Sequence, residues 1–355
     1  MTPQDIAGLR LRNQQLSMQQ FSTPAKVVEW LGAMQAQDFN AVKWAVGQRM
    51  QKPSLRAVEN ALHTGKILRT WPMRRTLHLV PAKDARWMLT LLNERVIAAS
   101  AGRHSQLGLT HRDLDKSRKA VSTALAGGKH ISRSELYQVL KRAGVAPDGQ
   151  RGMHVLAHLA FEQLIVFGRP AGKEQTFTLF DDWVPATKPL GREDASRKLV
   201  SAYFKSHGPA TVQDMNWWSG LSMREIRAAL HDLAGQFDSA TIGGRIYYWQ
   251  EMKSGPKQAA YLLAPFDEYL VSYKYRGDVL MELHRNQVIS RNGMFSPVLV
   301  LNGQVVGTWA KRLRARGLSI ELNLFRSLRS AEKHDVQEAA ERYSAFWNLP
   351  LVEVE

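Results

Sequence analysis

Two glutamines stand two positions apart in the segment MQAQDFN, at Gln35 and Gln37. A primary amide donates and accepts hydrogen bonds but does not take up a proton, so such a pair can orient a water molecule without acting as its base. On one continuous helix the two side chains would point about 200° apart, whereas on extended backbone they would share a face. The helix-capping residues Asp38 and Asn40 follow, ahead of a predicted helix at residues 41–48. We therefore expect both amides to project together, partly exposed, from a turn between two helices.

A second candidate group consists of His154, His158 and Glu162, which follow one another at intervals of four residues. This spacing places the three side chains on one face of a helix, where they could bind a metal ion. However, the general-base glutamate of an H-E-x-x-H site is absent, and the neighbouring residues are typical of a packed core. We interpret the group as part of a packing or DNA-facing helix and expect no metal. A metal-dependent nuclease built on these three residues is the alternative.

Other kinds of active site are excluded by composition. The chain has no cysteine, which excludes disulfides, thiol catalysis, iron–sulfur clusters and cysteine-based zinc modules. No G-x-S-x-G segment is present to mark a nucleophilic serine. No N-terminal signal peptide and no apolar run near the ~20 residues of a membrane span are recognisable. We therefore expect no cofactor, no membrane partner and a cytoplasmic location, at the bacterial nucleoid.

The charge of the chain indicates the kind of partner. Among 355 residues, 48 Lys and Arg stand against 32 Asp and Glu, which gives a formal net charge of +16. An excess of this size favours a polyanionic partner, with nucleic acid before a membrane surface.

The predicted helices and strands form a unit that recurs three times, in which helices are followed by a hairpin. In the first unit Thr23 and Pro24 begin a helix, a later helix ends near Gly65, and β-like runs follow at residues 67–71 and 76–80. In the second and third units the helices begin at capping-box pairs. The hairpin of the second unit has β-like runs at residues 164–167 and 176–180, and that of the third unit has a turn followed by a run at 245–249. The capping-box pairs are Ser132/Glu135, Thr211/Asp214 and Ser222/Glu225, and the turn is Gly243-Gly244.

Helices followed by a hairpin are typical of the winged helix-turn-helix. After residue 255 the pattern changes to strands at 261–263 and 298–301, an Asn302-Gly303 hairpin turn and a terminal helix near 336–347. The sequence thus predicts an α+β, mainly α fold of tandem winged-helix modules before a small β-rich C-terminal domain. Four domains are expected, at residues 1–105, 106–188, 189–254 and 255–355. Trp217 and Trp218, in the third module, are interpreted as core residues.

Cationic residues on and near the predicted hairpins are candidates for DNA contacts. Basic side chains on a wing usually contact phosphate, and aromatic side chains among cations suit distorted or unstacked DNA. The first group lies in and beside the first hairpin, the second follows an acidic run, and the third follows the Asn-Gly hairpin. The predicted DNA-binding residues are Arg69, Arg74, Arg75 and His78; Lys274, Tyr275 and Arg276; and Lys311 and Arg312.

Five segments resemble the winged-helix DNA glycosylases of the AlkZ and YcaQ type, and they are spread over nearly the whole chain. They are LGAMQAQDFNAVKWAV, ILRTWPMRRTLHLVPAKD, GLTHRDLDKSRKAV, LAPFDEYLVSYKYR and MFSPVLVLNGQVVGTWAKR. The family's catalytic signature is Gln, an apolar residue, then Gln or Asp. It falls on Gln35, Ala36 and Gln37, so the chain is similar to the double-glutamine, AlkZ-like branch. One departure is Arg75, where the family pattern has a glycine.

The resemblance implies a monofunctional DNA glycosylase with Gln35 and Gln37 as catalytic residues. Its implied substrate is double-stranded DNA that carries alkylated or crosslinked purines, and the protein is expected to act as a monomer. Loss of a base passes through an oxocarbenium-like sugar. A purine alkylated at N7 is already cationic and leaves as a neutral base, so amides that position water would suffice. The alternative is a non-enzymatic winged-helix transcriptional regulator, which should usually be a two-fold dimer.

Overall fold

The computed structural model describes residues 2–172, 174–250 and 260–355. Helices account for 48% of the described residues and strands for 21%, which confirms the α+β class with helix in excess. The helices are α1 (Pro3–Asn13), α2 (Pro24–Leu31), α3 (Phe39–Gly47), α4 (Leu55–His63), α5 (Ala82–Gln106), α6 (His111–Leu125), α7 (Arg133–Arg142), α8 (Arg151–Phe161), α9 (Phe180–Trp183), α10 (Arg192–His207), α11 (Val212–Ser219), α12 (Met223–Asp232), α13 (Glu268–Val271), α14 (Arg285–Val288) and α15 (Ser330–Phe346).

The strands are short except near the C-terminus. They are β1 (Met34–Gln35), β2 (Ile67–Met73), β3 (Thr76–Pro81), β4 (Ile131–Ser132), β5 (Ile165–Phe167), β6 (Thr176–Leu179), β7 (Asp238–Ile242), β8 (Arg245–Trp249), β9 (Ala260–Leu263), β10 (Val298–Leu301), β11 (Gln304–Arg314), β12 (Gly317–Leu324) and β13 (Leu351–Val354). The expected domain boundary at 254/255 and position 173 of the second wing lie outside the described residues.

The order of three helices and a hairpin occurs three times along the chain, as α2–α4 with β2–β3, α6–α8 with β5–β6, and α10–α12 with β7–β8. Side-chain caps begin several of these helices. The predicted capping boxes Ser132/Glu135, Thr211/Asp214 and Ser222/Glu225 are all formed. Thr23 likewise caps α2, with Pro24 in its first turn. These helix starts were predictable because each uses only residues within one turn of the chain.

The chain divides into two compact units. The terminal unit comprises Met1–Val58 and Arg197–Glu355, and the central unit comprises Glu59–Ser196. The division into four consecutive domains stays a prediction.

The terminal unit contains a five-stranded sheet of order β13-β12-β11-β10-β9. Its pairs are antiparallel except β12 with β13. The predicted hairpin turn is confirmed: Asn302 and Gly303 have φ of 49° and 85° between the paired residues Leu301 and Gln304. The terminal helix α15 begins at Ser330, earlier than predicted, and packs against β9. Strand and helix residues of this unit form a hydrophobic core that includes Leu11, Tyr261 and Val300.

The central unit holds the β2–β3 hairpin and a three-stranded sheet of order β4-β6-β5. Its core includes a run of aromatic rings, with centroids 5.0 Å apart between Trp71 and Phe167 and 4.5 Å apart between Phe167 and Phe177. The β2–β3 hairpin is therefore fixed to the packed interior of its own unit through Trp71, whose side chain belongs to that core.

Candidate active site

The Q-x-Q segment lies between two helices of the terminal unit, as predicted. Helix α2 ends at Leu31, and the strand β1 then holds Met34 and Gln35 in extended conformation. Asp38 stops the extended run because its Oδ1 accepts hydrogen bonds from the main-chain N–H groups of Asn40 and Ala41, at 3.0 and 2.9 Å. Helix α3 thus begins two residues earlier than predicted.

The two amides differ in exposure. Gln37 is exposed, whereas Gln35 is buried at 8% exposure. The expectation that both are partly exposed is therefore wrong for Gln35. The reason is packing, because the neighbouring residues Met34 and Ala36 are fully buried and hold β1 in the core.

A glutamate distant in sequence holds this segment in place. The main-chain N–H of Gln35 donates to Oε1 of Glu268 at 2.5 Å. Glu268 is 1% exposed and is the first residue of α13, whose N-cap is Asp267. The other carboxylate oxygen accepts from Nε1 of Trp218 at 3.1 Å and from the hydroxyl of Ser272.

Other buried ionisable side chains lie near Glu268. Its neighbour Asp267 forms an ion pair with Arg49 at 2.7 Å. Nε2 of His207 lies 3.6 Å from Glu268 Oε2, and burial lowers the pKa of His207. The imidazole is therefore neutral at pH 7. Sequence reasoning missed Glu268, although an Asp-Glu pair inside the apolar run LAPFDEYLV is a signal for buried, partnered charge.

The first wing ends in a two-residue turn made of Arg74 and Arg75, between the paired residues Met73 and Thr76. Both arginines have positive φ, 52° and 59°, a conformation that favours asparagine and glycine. Arg75 is exposed and Arg74 is half-buried. The predicted hairpin with these two residues at its turn is confirmed, and their role in DNA binding stays a prediction.

Arg69 and His78 lie further from the turn and are buried, at 8% and 0% exposure. Both lie on the strands of the hairpin, as predicted, but their side chains are buried rather than open to solvent. Arg69 bonds Gln175 at 3.3 Å and lies over the ring of Phe167, and Nδ1 of His78 is 3.0 Å from the carbonyl of Thr76. These contacts explain the burial, and a role in DNA binding stays a prediction for each.

The other predicted DNA-binding residues are on the terminal unit. Lys274 and Tyr275 are exposed, and the guanidinium of Arg245 lies 3.7 Å from the Tyr275 ring centroid. Arg276 is half-buried and donates to the carbonyl of Leu270. This group therefore places cations and an aromatic ring together, as the sequence predicts.

Lys311 and Arg312 are exposed on β11 of the long β11–β12 hairpin. Lys311 lies over the ring of Trp347, and Arg312 pairs with Glu321 across the hairpin.

In the third repeat Trp218 is fully buried, but Trp217 is 41% exposed, so the core assignment is wrong for Trp217. The guanidinium of Arg276 lies 5.5 Å from the ring centroid of Trp217.

The histidine group of α8 is part of a packed cluster. His158 contacts Glu162 at 3.1 Å, and Glu162 is bound on both oxygens by Arg118. The ring of His104 meets those of His154 and His158 edge-on. Burial lowers the pKa of all three histidines. Among the described residues no group of three or more acidic or histidine side chains could hold a metal ion.

The chain matches the family of AlkZ-like DNA glycosylases over residues 28–346. This match covers most of the sequence, and the protein belongs to that family. It is accordingly an enzyme, a DNA glycosylase, and the transcriptional-regulator alternative is not supported.

One curated relative and one solved structure illustrate the similarity. The interstrand DNA cross-link repair glycosylase of Streptomyces sahachiroi is 27% identical over 324 residues, 86% of each chain. The structure of the Streptomyces sahachiroi DNA glycosylase AlkZ superimposes with a TM-score of 0.80 at 23% identity, over 100% of this chain and 99% of that one. The second comparison supports the fold. No helix within the described ranges is long and apolar enough to span a membrane.

Proposed function

We propose that the protein hydrolyses the N-glycosidic bond of cationic, N7-alkylated purines in double-stranded DNA, with Gln35 and Gln37 as the catalytic residues. The observation that carries this proposal is the arrangement of the amide pair. Gln35 is anchored in a buried strand, and Gln37 follows it on the exposed approach to α3.

Amides suffice for such a substrate because of its charge. An N7-alkylated purine departs as a neutral base and needs no general acid, whereas an unmodified purine would require one. The sugar develops oxocarbenium character, and water attacks the anomeric carbon. The enzyme must then place that water and accommodate positive charge, and positioning alone can lower a barrier by several kcal/mol.

The exposure of the two residues supports a division of roles. Gln37 is exposed, so its amide oxygen can accept a hydrogen bond from the attacking water and orient it. Gln35 is buried beside Glu268, which suits a role in orienting Gln37, the water or the sugar. Neither amide takes up the proton, which passes to solvent.

DNA is bound, in this proposal, by tandem winged-helix modules at residues 1–105, 106–188 and 189–254, followed by the β-rich domain at 255–355. The threefold order of helices and hairpin and the net charge of +16 support it. Arg74 and Arg75 at the first wing, with Lys274, Tyr275 and Lys311, would contact phosphate and distorted DNA. Such a lesion enzyme works as a monomer in the cytoplasm, at the nucleoid.

Interstrand crosslinks are a second proposed substrate. The name of the relative at 27% identity, an interstrand DNA cross-link repair glycosylase, supports this extension. A crosslinked purine is tethered to the opposite strand and cannot rotate about 180° into a deep pocket, as many base-modifying enzymes require. An exposed Gln37 on the protein surface would reach such a purine without that rotation.

The test is incubation with duplex DNA that carries one N7-methylguanine. Excision leaves an abasic site, so the damaged strand should break after alkali treatment, whereas an undamaged duplex of the same sequence should stay intact. Strands that remain intact with both substrates would contradict the proposal. EDTA should leave the reaction unchanged, since no metal takes part.

A further inference from the structure

We infer that Glu268 is a positioning residue for base excision: its buried carboxylate fixes the main chain at Gln35 and thereby sets where the amide of Gln37 lies. This inference rests on the proposed function of the two glutamines. It is carried by the hydrogen bond from the Gln35 N–H to Glu268 Oε1, at 2.5 Å.

The segment needs such a support. β1 comprises only two residues, and only Ala36 and Gln37 separate it from the Asp38 cap of α3. A main-chain N–H in the interior requires a partner, because leaving it unpaired is destabilising. Glu268 provides a charged acceptor at the residue where the backbone must hold both amides, and charge-assisted hydrogen bonds are roughly twice as strong as neutral ones.

Glu268 is itself rigidly held. Oε2 accepts from Nε1 of Trp218 at 3.1 Å and from the Ser272 hydroxyl one turn further along the chain. The Gln35 N–H, the Trp218 indole and the Ser272 hydroxyl thus all donate to this side chain. Trp218 is fully buried, so the side chain that orients Glu268 belongs to the core of the terminal unit. The carboxylate of Glu268 thus links the main chain at Gln35 to that core.

The neighbouring buried acids have other partners. Asp267 is bound on both oxygens by Arg49. Asp278, 5% exposed, accepts from Arg10 at 3.1 Å and from the Tyr247 hydroxyl at 3.0 Å. Asp278 therefore supplies a matched control: a buried carboxylate of the same unit whose bonds reach other residues than the Q-x-Q segment.

The experiment compares Glu268→Gln and Glu268→Asp with the control Asp278→Asn. Single-turnover excision of N7-methylguanine, affinity for the same duplex and thermal unfolding are measured for each variant. The Gln variant cannot offer two acceptor oxygens, and the Asp variant withdraws the carboxylate by one methylene. A displacement near 1 Å can cost about a hundredfold in rate, so we expect losses of about ten- to a hundredfold for both Glu268 variants, with DNA affinity nearly unchanged. D278N should lose stability but retain its rate within about threefold.

A combined variant separates positioning from general destabilisation. In the background of Gln35→Ala with Gln37→Ala the same E268Q change should lower the remaining rate by less than about twofold, because both amides that it places are gone. An equal factor in both backgrounds, or Glu268 variants no slower than D278N, would overturn the inference. Should E268Q fail to fold, E268D decides alone. A wild-type protein that does not excise the base would instead overturn the proposed function. If the wild type is active and Q37A is impaired, Glu268 variants with an unimpaired rate would overturn this inference only.

Discussion

Gln35 and Glu268 are separated by 233 residues in sequence, and a hydrogen bond joins the main chain of the first to the carboxylate of the second. The amide pair is therefore not an isolated surface motif. One of its members is packed into the terminal unit, and the other reaches solvent. Because of this asymmetry, substitutions at the two positions separate effects on stability from effects on the chemistry.

Gln37→Ala should leave the free energy of unfolding within about 0.5 kcal/mol of wild type, because the side chain is exposed. Gln35→Ala should cost about 1–2 kcal/mol, since truncating a buried side chain leaves a cavity. Urea unfolding of both variants tests this order. Equal costs would mean that the burial of Gln35 does not contribute to stability.

Gln37→Asp should keep activity on N7-methylguanine. The aspartate places a true base at the same exposed position, one methylene shorter, and its charge favours a cationic sugar. The excision rate should fall as the pH is lowered through the carboxylate's pKa, which is about 4 for an exposed aspartate, whereas the wild-type rate should not show that step. A flat profile for Q37D between pH 3.5 and 7 would argue against direct contact between residue 37 and the attacking water.

Arg75→Gly should make the protein more stable and bind DNA less tightly. Arg75 has a φ of 59°, and a non-glycine residue in that region costs about 1–3 kcal/mol. Because glycine also gains entropy in the unfolded chain, we expect a net gain of about 1 kcal/mol. Loss of one phosphate contact should reduce the slope of log affinity against log salt by about 0.9. Arg75→Lys is the control, with affinity kept and no gain in stability; a glycine variant with unchanged salt dependence would contradict the wing contact.

Stability should fall between pH 7.5 and 5.5. Burial lowers the pKa of His104, His154, His158 and His207. Above the ordinary value of about 6.5 both folded and unfolded states are neutral at these positions. Below it the unfolded chain takes up protons that the folded protein does not, so the free energy of unfolding decreases by at most about 1.4 kcal/mol per pH unit for each histidine. Denaturant unfolding at the two pH values measures this, and His158→Gln should flatten the dependence; equal stabilities would contradict it.

Much of the local structure could be predicted from the sequence because its causes are local. The caps at Thr23, Ser132 and Ser222 act within one helical turn, and the Asn302-Gly303 turn follows from two residues that tolerate positive φ. The Q-x-Q segment between two helices was found for the same reason, since Asp38 marks the start of the second helix.

Burial was less predictable because it depends on partners far away in sequence. Arg69 is buried beside Gln175, more than a hundred residues further along the chain. Glu268 could be suspected as a buried acid from its apolar neighbours, but its contact with Gln35 depends on tertiary packing. The exposure of Trp217 beside the fully buried Trp218 likewise depends on which face of α11 meets the core.

Whether the amide pair performs base excision is measured by the single-turnover rate of the variant with both Gln35 and Gln37 changed to Ala, on duplex DNA that carries N7-methylguanine. We predict a fall of about a hundredfold or more relative to wild type, the scale of losing a positioned catalytic group. Affinity for the same duplex should hardly change, because the phosphate contacts remain. A double variant that is folded, binds this DNA and excises the base at the wild-type rate would contradict the assignment.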